Sequence, residues 1–482
     1  MNAEKAPLGS RITVCFLTAI LSSGGFAATT TLPIKDSVLA KMQYVDNHFI
    51  KRWPTSACNS CLNGGDPGNE WTRGAYFEGH MALYRMAPDT ALYSYAVTWG
   101  TFFDWAFKGG NGGANANGQC AGQAYAELYQ ADTMQKIRIL NDTAYVNAMK
   151  KSAAVNYWTW VDAIQMAMPV FARVGFIRND TAAYTTMHNF FEYPKVTIHH
   201  TGLWDTVTHL WFRDSTFLSP AYGGTYLDTN KLPCFWSRGN GWAIGALCRV
   251  LDYLPATNAH RAEYIQIIQQ MAAALLPIQR SDGFWNMNLG DPNDCGGPEE
   301  TGTGFFTYAM AWGVNHGILD TATYLPVLAR GWNAMVDSCI HPITDSIILG
   351  YVQGTGDAPS QTPPVTYNSQ PNFDDYGVGI FLLAGSEVYK LAPQVASATR
   401  QLAASEAAQR AYLRNNAVYI AKNWRYNVGV ILFDVNGRAV FMKNMSGAAE
   451  CRLPASLRSG AYLLRVTGAG VTLLEREIAV AR

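Results

Sequence analysis

The sequence predicts an all-α domain of six helical hairpins closed into a ring, followed by a small C-terminal β-sandwich. Three observations carry this reading. Between residues 34 and 390, apolar residues recur at helical spacing in twelve segments. Two long stretches, 193–235 and 340–372, interrupt that pattern. Near residue 391 the composition changes, and short alternating runs replace the helical period.

The helical segments are 34–49, 71–87, 89–107, 119–131, 141–153, 157–174, 179–192, 237–254, 259–279, 302–316, 321–338 and 374–389. Asp282-Gly283 and Gly317 stop the helices before them. The spacing fits hairpins of two, and six hairpins make a closed ring. The stretch 193–235 holds β-like pieces at 196–200 and 210–212, while 340–372 is rich in Pro and Gly. Long loops in a compact domain usually carry function, and on a helical ring they gather around one mouth.

Residues 391–409 read as a linker, Ala/Gln/Ser-rich over most of its length, and 410–482 as the sandwich. Its strands are 417–421, 428–434, 439–443, 461–466 and 471–480, with turns at Asn436-Gly437 and Ser459-Gly460. No catalytic pair is evident there, which points to a targeting or binding role.

Of the 482 residues 49% are apolar, enough for a large core and incompatible with intrinsic disorder. Thirty-six Lys and Arg balance thirty-six Asp and Glu, so the basic footprint of a general nucleic-acid binder is missing. Charged residues are only 15%, while 14 Trp and 25 Tyr raise the aromatic share to 12%. Aromatics in a neutral chain suit stacking on flat, polar, weakly charged ligands such as sugars, and they suit a core equally well.

The first 27 residues read as a secretory signal peptide. Lys5 and Arg11 form its basic region, 12–21 its apolar stretch, and Gly25-Phe26-Ala27 its cleavage site before Ala28. The apolar stretch is too short to span a membrane, and no later one reaches the ~18 uninterrupted apolar residues of a span, so a soluble, exported protein is expected. Eight Cys remain after the leader. The Cys58-Asn-Ser-Cys61 pair has no second pair at zinc-site spacing, which favours a local disulfide or free thiols over metal.

Three segments concentrate chemistry. Asp162 follows Trp158, Trp160 and Val161 in the apolar helix drawn at 157–174. A carboxyl in apolar surroundings keeps its proton, as a general acid requires, although a helix Asp can equally face solvent or pair with an Arg. Phe235-Trp236-Ser-Arg238-Gly-Asn240-Gly-Trp242 sits at a loop-to-helix junction. Trp236 and Trp242 are candidates to stack on a sugar, and Arg238 to fork a carboxylate, with plain cation–π packing as the alternative. The third, from His199 to Asp214, packs His, Asp, Arg213 and Trp into sixteen residues. Adjacent histidines in a strand face opposite ways, so His199, His200 and His209 are not assigned a metal. No cofactor is expected. At Gly296-Gly-Pro-Glu299-Glu300-Thr, Glu or Thr can cap the helix that follows.

The order Trp160-Val-Asp162, Trp211-Phe-Arg213-Asp214, Trp236-Ser-Arg238-Gly-Asn240-Gly-Trp242, Glu300-Thr-Gly-Thr and Ala311-Trp312-Gly313 resembles glycoside hydrolase family 105, related to family 88. The resemblance covers about residues 36–390. It implies an (α/α)6 barrel and an unsaturated rhamnogalacturonyl hydrolase. The implied substrate is a lyase-generated pectin or rhamnogalacturonan oligosaccharide ending in a 4,5-unsaturated uronic acid. Asp162 would protonate C4, water would add at C5, and the hemiketal would open to release the next sugar. Trp160, Trp236 and Trp242 would frame the sugar, with Arg238 near its carboxylate. Two departures stand out. Asn117 occupies an expected Asp and can hydrogen-bond a hydroxyl but hold no charge, and Arg213 stands where some members carry a His. The alternatives are an unsaturated glucuronyl hydrolase or another glycosidase on the same barrel, or a catalytically weakened sugar-binding protein.

The tail, with Val428-Gly-Val-Ile-Leu-Phe-Asp434-Val-Asn-Gly437 and Leu453-Pro-Ala-Ser-Leu-Arg-Ser-Gly460-Ala-Tyr462, resembles a C-terminal sorting domain of type-nine secretion. It implies a partner in the secretion machinery and a secreted or cell-surface location on a bacterium.

Overall fold

The computed structural model describes residues 29–56, 58, 68–109, 115–340, 348–361, 367 and 374–394. In the tail it describes 411–414, 417–420, 427–433, 439–446, 450–454, 456–457, 459–468 and 471–480. The expected signal peptide, Cys61, most of the linker and the Asn436-Gly437 turn lie outside these residues. The chain separates into two compact units between Ala392 and Pro393.

Thirteen α-helices occur among the described residues of the first unit. They are α1 (Lys35–Arg52), α2 (Trp71–Met86), α3 (Thr90–Phe102), α4 (Ala116–Gln119), α5 (Ala121–Ala131), α6 (Leu140–Met149) and α7 (Asp162–Arg178). Then follow α8 (Thr181–Glu192), α9 (Ser237–Leu251), α10 (Arg261–Leu275), α11 (Glu300–Asn315), α12 (Thr321–Ala334) and α13 (Asp374–Leu391). Helix α2 packs on α5, α5 on α7, α7 on α9, α9 on α11, α11 on α13 and α13 on α2. These six bury nearly their whole circumference: every residue of α9 is buried, and so is all of α11 but its last residue. By contrast α1, α3, α8 and α10 bury a single stripe, as helices with one face to solvent do. The α2–α13 seam is closest at Gly79 and Gly379. A Cβ on Gly379 would lie 2.1 Å from the Ala75 carbonyl oxygen, and one on Gly79 2.1 Å from that of Gly379.

Two expected elements differ. The helix drawn from 157 begins at Asp162, because Trp160 forms a β-bridge with Asp214 and the Val161 amide donates to the Arg213 carbonyl at 2.8 Å. A tertiary pairing thus takes the segment before Asp162 out of the helix. The piece at 196–200 is helical, a π-turn (Tyr193–Thr197) running into a 3-10 turn (Ile198–His200). The piece near 210 is a strand, β2 (Leu210–Trp211), antiparallel to β1 (Trp204–Asp205).

The second unit holds β3 (Ala411–Arg414), β4 (Ala417–Ile420), β5 (Asn427–Phe433), β6 (Ala439–Ser446), β7 (Glu450–Arg452), β8 (Gly460–Gly468) and β9 (Val471–Val480). One antiparallel sheet has the order β3-β4-β7 and another β6-β5-β8-β9. Alternate residues Val428, Val430 and Leu432, with Leu464 and Val466, share one buried cluster with Val418 and Cys451 of the other sheet. No helix among the described residues is long and apolar enough to cross a membrane.

Candidate active site

The first turns of α2, α4, α7 and α9 carry Trp71, Asn117, Asp162 and Arg238 to one cavity of about 320 Å³. Trp160, Met166, Arg213, Thr355, Gly356 and Asp357 complete its wall. The positive ends of the α2, α7 and α9 dipoles and two guanidiniums favour an anion there.

Asp162 is the first residue of α7. Its Oδ1 is buried without a hydrogen-bond partner among the described residues. Burial raises its pKa above the ordinary carboxyl range, Arg213 and Arg238 pull it back, and Asp214 adds to the rise. Gly239 leaves the room this arrangement needs, since a Cβ there would lie 2.9 Å from Val161 Cγ1 and 3.5 Å from Asp162 Oδ1.

Arg213 donates through Nη1 to Asp214 Oδ2 and through Nη2 to Asp357 Oδ1 at 3.3 Å. Asp214 is itself held, accepting from the Thr216 amide at 2.7 Å and hydroxyl at 2.6 Å. Arg238 is buried and donates to the carbonyls of Gln353 at 3.1 Å and Gly354 at 3.2 Å. It thereby anchors the segment whose next three residues form a wall of the cavity.

Trp236 and Trp242 do not line the cavity. Trp236 is buried against Met287, lies under the Arg238 guanidinium at 4.7 Å, and donates its indole N–H to Gln353 Oε1 at 2.6 Å. Trp242 is buried with its ring edge-on to Trp71 at 5.9 Å and 4.7 Å from Phe305. Both therefore support residues that do line it. Asn240 accepts from the Trp211 amide at 2.8 Å and donates to the Trp211 carbonyl at 3.0 Å, tying β2 to α9. The Trp-Ser-Arg-Gly-Asn-Gly-Trp run is thus largely scaffolding, with Arg238 its one residue on the cavity wall.

The remaining candidates lie elsewhere. His199 bonds the Tyr222 carbonyl, and His209 stacks on Trp204. Glu299 caps α11 through the amides of Thr301 at 2.9 Å and Gly302 at 2.7 Å. Glu300 is buried beside it, with its pKa pushed well up by burial and by Glu299. Sequence reasoning missed Trp71 and Asp357 as wall residues. Trp71 opens a helix without a flanking motif, and Asp357 belongs to a long loop whose residues have no periodicity to mark them.

Against known proteins, fold and site together define a glycoside hydrolase on a helical-barrel fold. Within that class the chain belongs to glycosyl hydrolase family 88, whose model matches residues 41–392. An unsaturated 3S-rhamnoglycuronyl hydrolase of Formosa agariphila is 36% identical over 234 residues, 48% of this chain and 58% of that protein. The chain spans about half the length of the curated relatives it matches. A solved family 88 glycosyl hydrolase from Bacteroides vulgatus is 26% identical with a TM-score of 0.64, covering 74% of this chain and 99% of that one. A family 105 glycoside hydrolase from C. acetobutylicum shares the fold, at 20% identity and a TM-score of 0.57 over 73% of this chain and 99% of that one.

Proposed function

We propose that this chain removes a terminal 4,5-unsaturated uronic acid from lyase-generated oligosaccharides by hydrating the C4–C5 double bond. The observation that carries the reading is Asp162 at the cavity wall, half-buried as a residue, with its Oδ1 buried and without a hydrogen-bond partner among the described residues and its pKa raised. Asp162 gives its proton to C4, positive charge develops at C5 and the ring oxygen, and water adds at C5. The hemiketal opens and releases the neighbouring sugar. One carboxyl can give a proton and then assist the water, so the two-carboxylate spacing of ordinary glycosidases is not required.

Trp160 and Trp71 offer the sugar aromatic surface, and Arg213 and Arg238 supply positive charge for the uronate carboxylate. Asn117 offers hydrogen bonds to a hydroxyl. The relatives' name favours rhamnose as the neighbouring sugar. The architecture that accompanies this reading is a closed six-hairpin barrel with a C-terminal β-sandwich. Removal of residues 1–27 on export and a sorting role for 410–482 complete it. Secreted protein beginning at Ala28 is the expected N-terminal sequence.

The test is the near-ultraviolet absorbance of lyase-digested rhamnose-containing and pectic oligosaccharides, which the conjugated double bond produces and hydration destroys. A steady fall is expected. Binding without any fall would make the chain a sugar-binding protein. A rise on intact polysaccharide would make it a lyase.

A further inference from the structure

Away from the cavity, two helix ends face each other with matching residues. His188 and Glu192 lie one turn apart at the end of α8, and His260 and Glu263 one turn apart at the start of α10. The rings of His188 and His260 stack with centroids 3.3 Å apart, and one ligand atom each from His188, His260 and Glu263 fall within 4.8 Å of one another. His188 Nε2 lies 3.9 Å from Glu192 Oε1. Its Nδ1 is held at 3.1 Å by the hydroxyl of buried Tyr264, the arrangement that orients a ligating histidine from behind. The cluster is already organised around a cation, because the Lys195 ammonium donates to Glu192 Oε1 at 2.6 Å and to Glu263 Oε1.

We propose that His188, His260 and Glu263 form a binding site for a divalent transition metal ion of the zinc type, which displaces the Lys195 ammonium from Glu263. Two imidazoles and one carboxylate are a common zinc donor set. Bonds of about 2.0–2.2 Å place tetrahedral ligand atoms roughly 3.4 Å apart, so atoms already within 4.8 Å need to draw together by no more than about 1.4 Å. None of these residues lines the catalytic cavity. A bound ion would clip α8 to α10, and occupancy would raise the melting temperature.

The test is titration of the untagged chain with Zn2+ by calorimetry, with Co2+ as a visible-absorption probe of tetrahedral coordination. One ion per chain at this site is expected. His188→Ala and His260→Ala should each weaken binding by at least the roughly 10–100-fold that loss of an outer partner costs. Lys195→Met should tighten it by removing the competing cation. Thermal melts without metal identify any variant that does not fold, in which case His260→Asn replaces it. No binding by the parent chain, unchanged affinity in both histidine variants, or weaker binding by Lys195→Met each overturn the proposal.

Discussion

The guanidinium of Arg213 holds the carboxylate of Asp357 at 3.3 Å, joining two walls of the cavity that are 144 residues apart in the chain. Asp357 is 84% exposed, whereas Asp214 on the same guanidinium is 12% exposed and fixed by Thr216. The labile partner of Arg213 is therefore Asp357. An anionic substrate that uses Arg213 must compete with it.

Asp357→Asn should accordingly lower KM and leave kcat nearly unchanged. The gain should not exceed about five-fold, because an ion pair with one partner in water is worth little. Steady-state rates of double-bond loss check this. A raised KM would instead identify Asp357 as a direct contact to the sugar.

Asp162→Asn should reduce kcat by about 10²–10⁴-fold with little change in KM, since only the transferable proton is lost. Single-turnover rates alongside binding of unreacted oligosaccharide separate the two constants.

In the proposed mechanism Asp162 acts as its protonated form, so its raised pKa sets the expected pH profile. Activity should fall on the alkaline side as the carboxyl ionises. Arg213 opposes the rise, so Arg213→Gln should move that limb to higher pH. A limb that stays in place in this variant would assign it to another group.

On α2, burial raises the pKa of Glu78 to about 7, against the pull of Arg249. A carboxyl whose folded pKa is raised contributes stability that is present at low pH and lost as pH climbs through the folded value. The window runs from about 4.5, its ordinary value, to about 7. Glu78→Gln cannot ionise, so its melting temperature should decline less than the parent's across that window.

Gly379→Ala should destabilise the first unit by about 1–3 kcal/mol or more, because the added Cβ meets backbone that cannot swing aside. Denaturant melts measure the loss. A loss of only tenths of a kcal/mol would mean that the α2–α13 seam can part.

Most helices were legible because helical periodicity is a local property. Gly317 sits where the sequence ends a helix, just after α11 stops at Asn315. Asp162 was legible as a carboxyl among aromatics, yet its place as the first residue of α7 was not. That start is decided by the Trp160–Asp214 bridge, between residues more than fifty positions apart. Trp236 and Trp242 show the limit of reading a motif. Identity and spacing name good stacking residues, but the Gln353 side chain and the Trp71 ring decide which faces they bury.

By itself, then, the sequence determined the helical period, the break near residue 391, and a set of aromatic, arginine and carboxyl residues suited to an anionic sugar. Each of these depends on neighbours a few positions away. Only the tertiary structure decided that Trp71 and Asp357 join Asp162 and Arg213 at one cavity while Trp236 and Trp242 stand behind it. Desolvation and ion pairing depend on what the chain brings together from distant positions, and those contacts set the Asp162 carboxyl apart from an ordinary one.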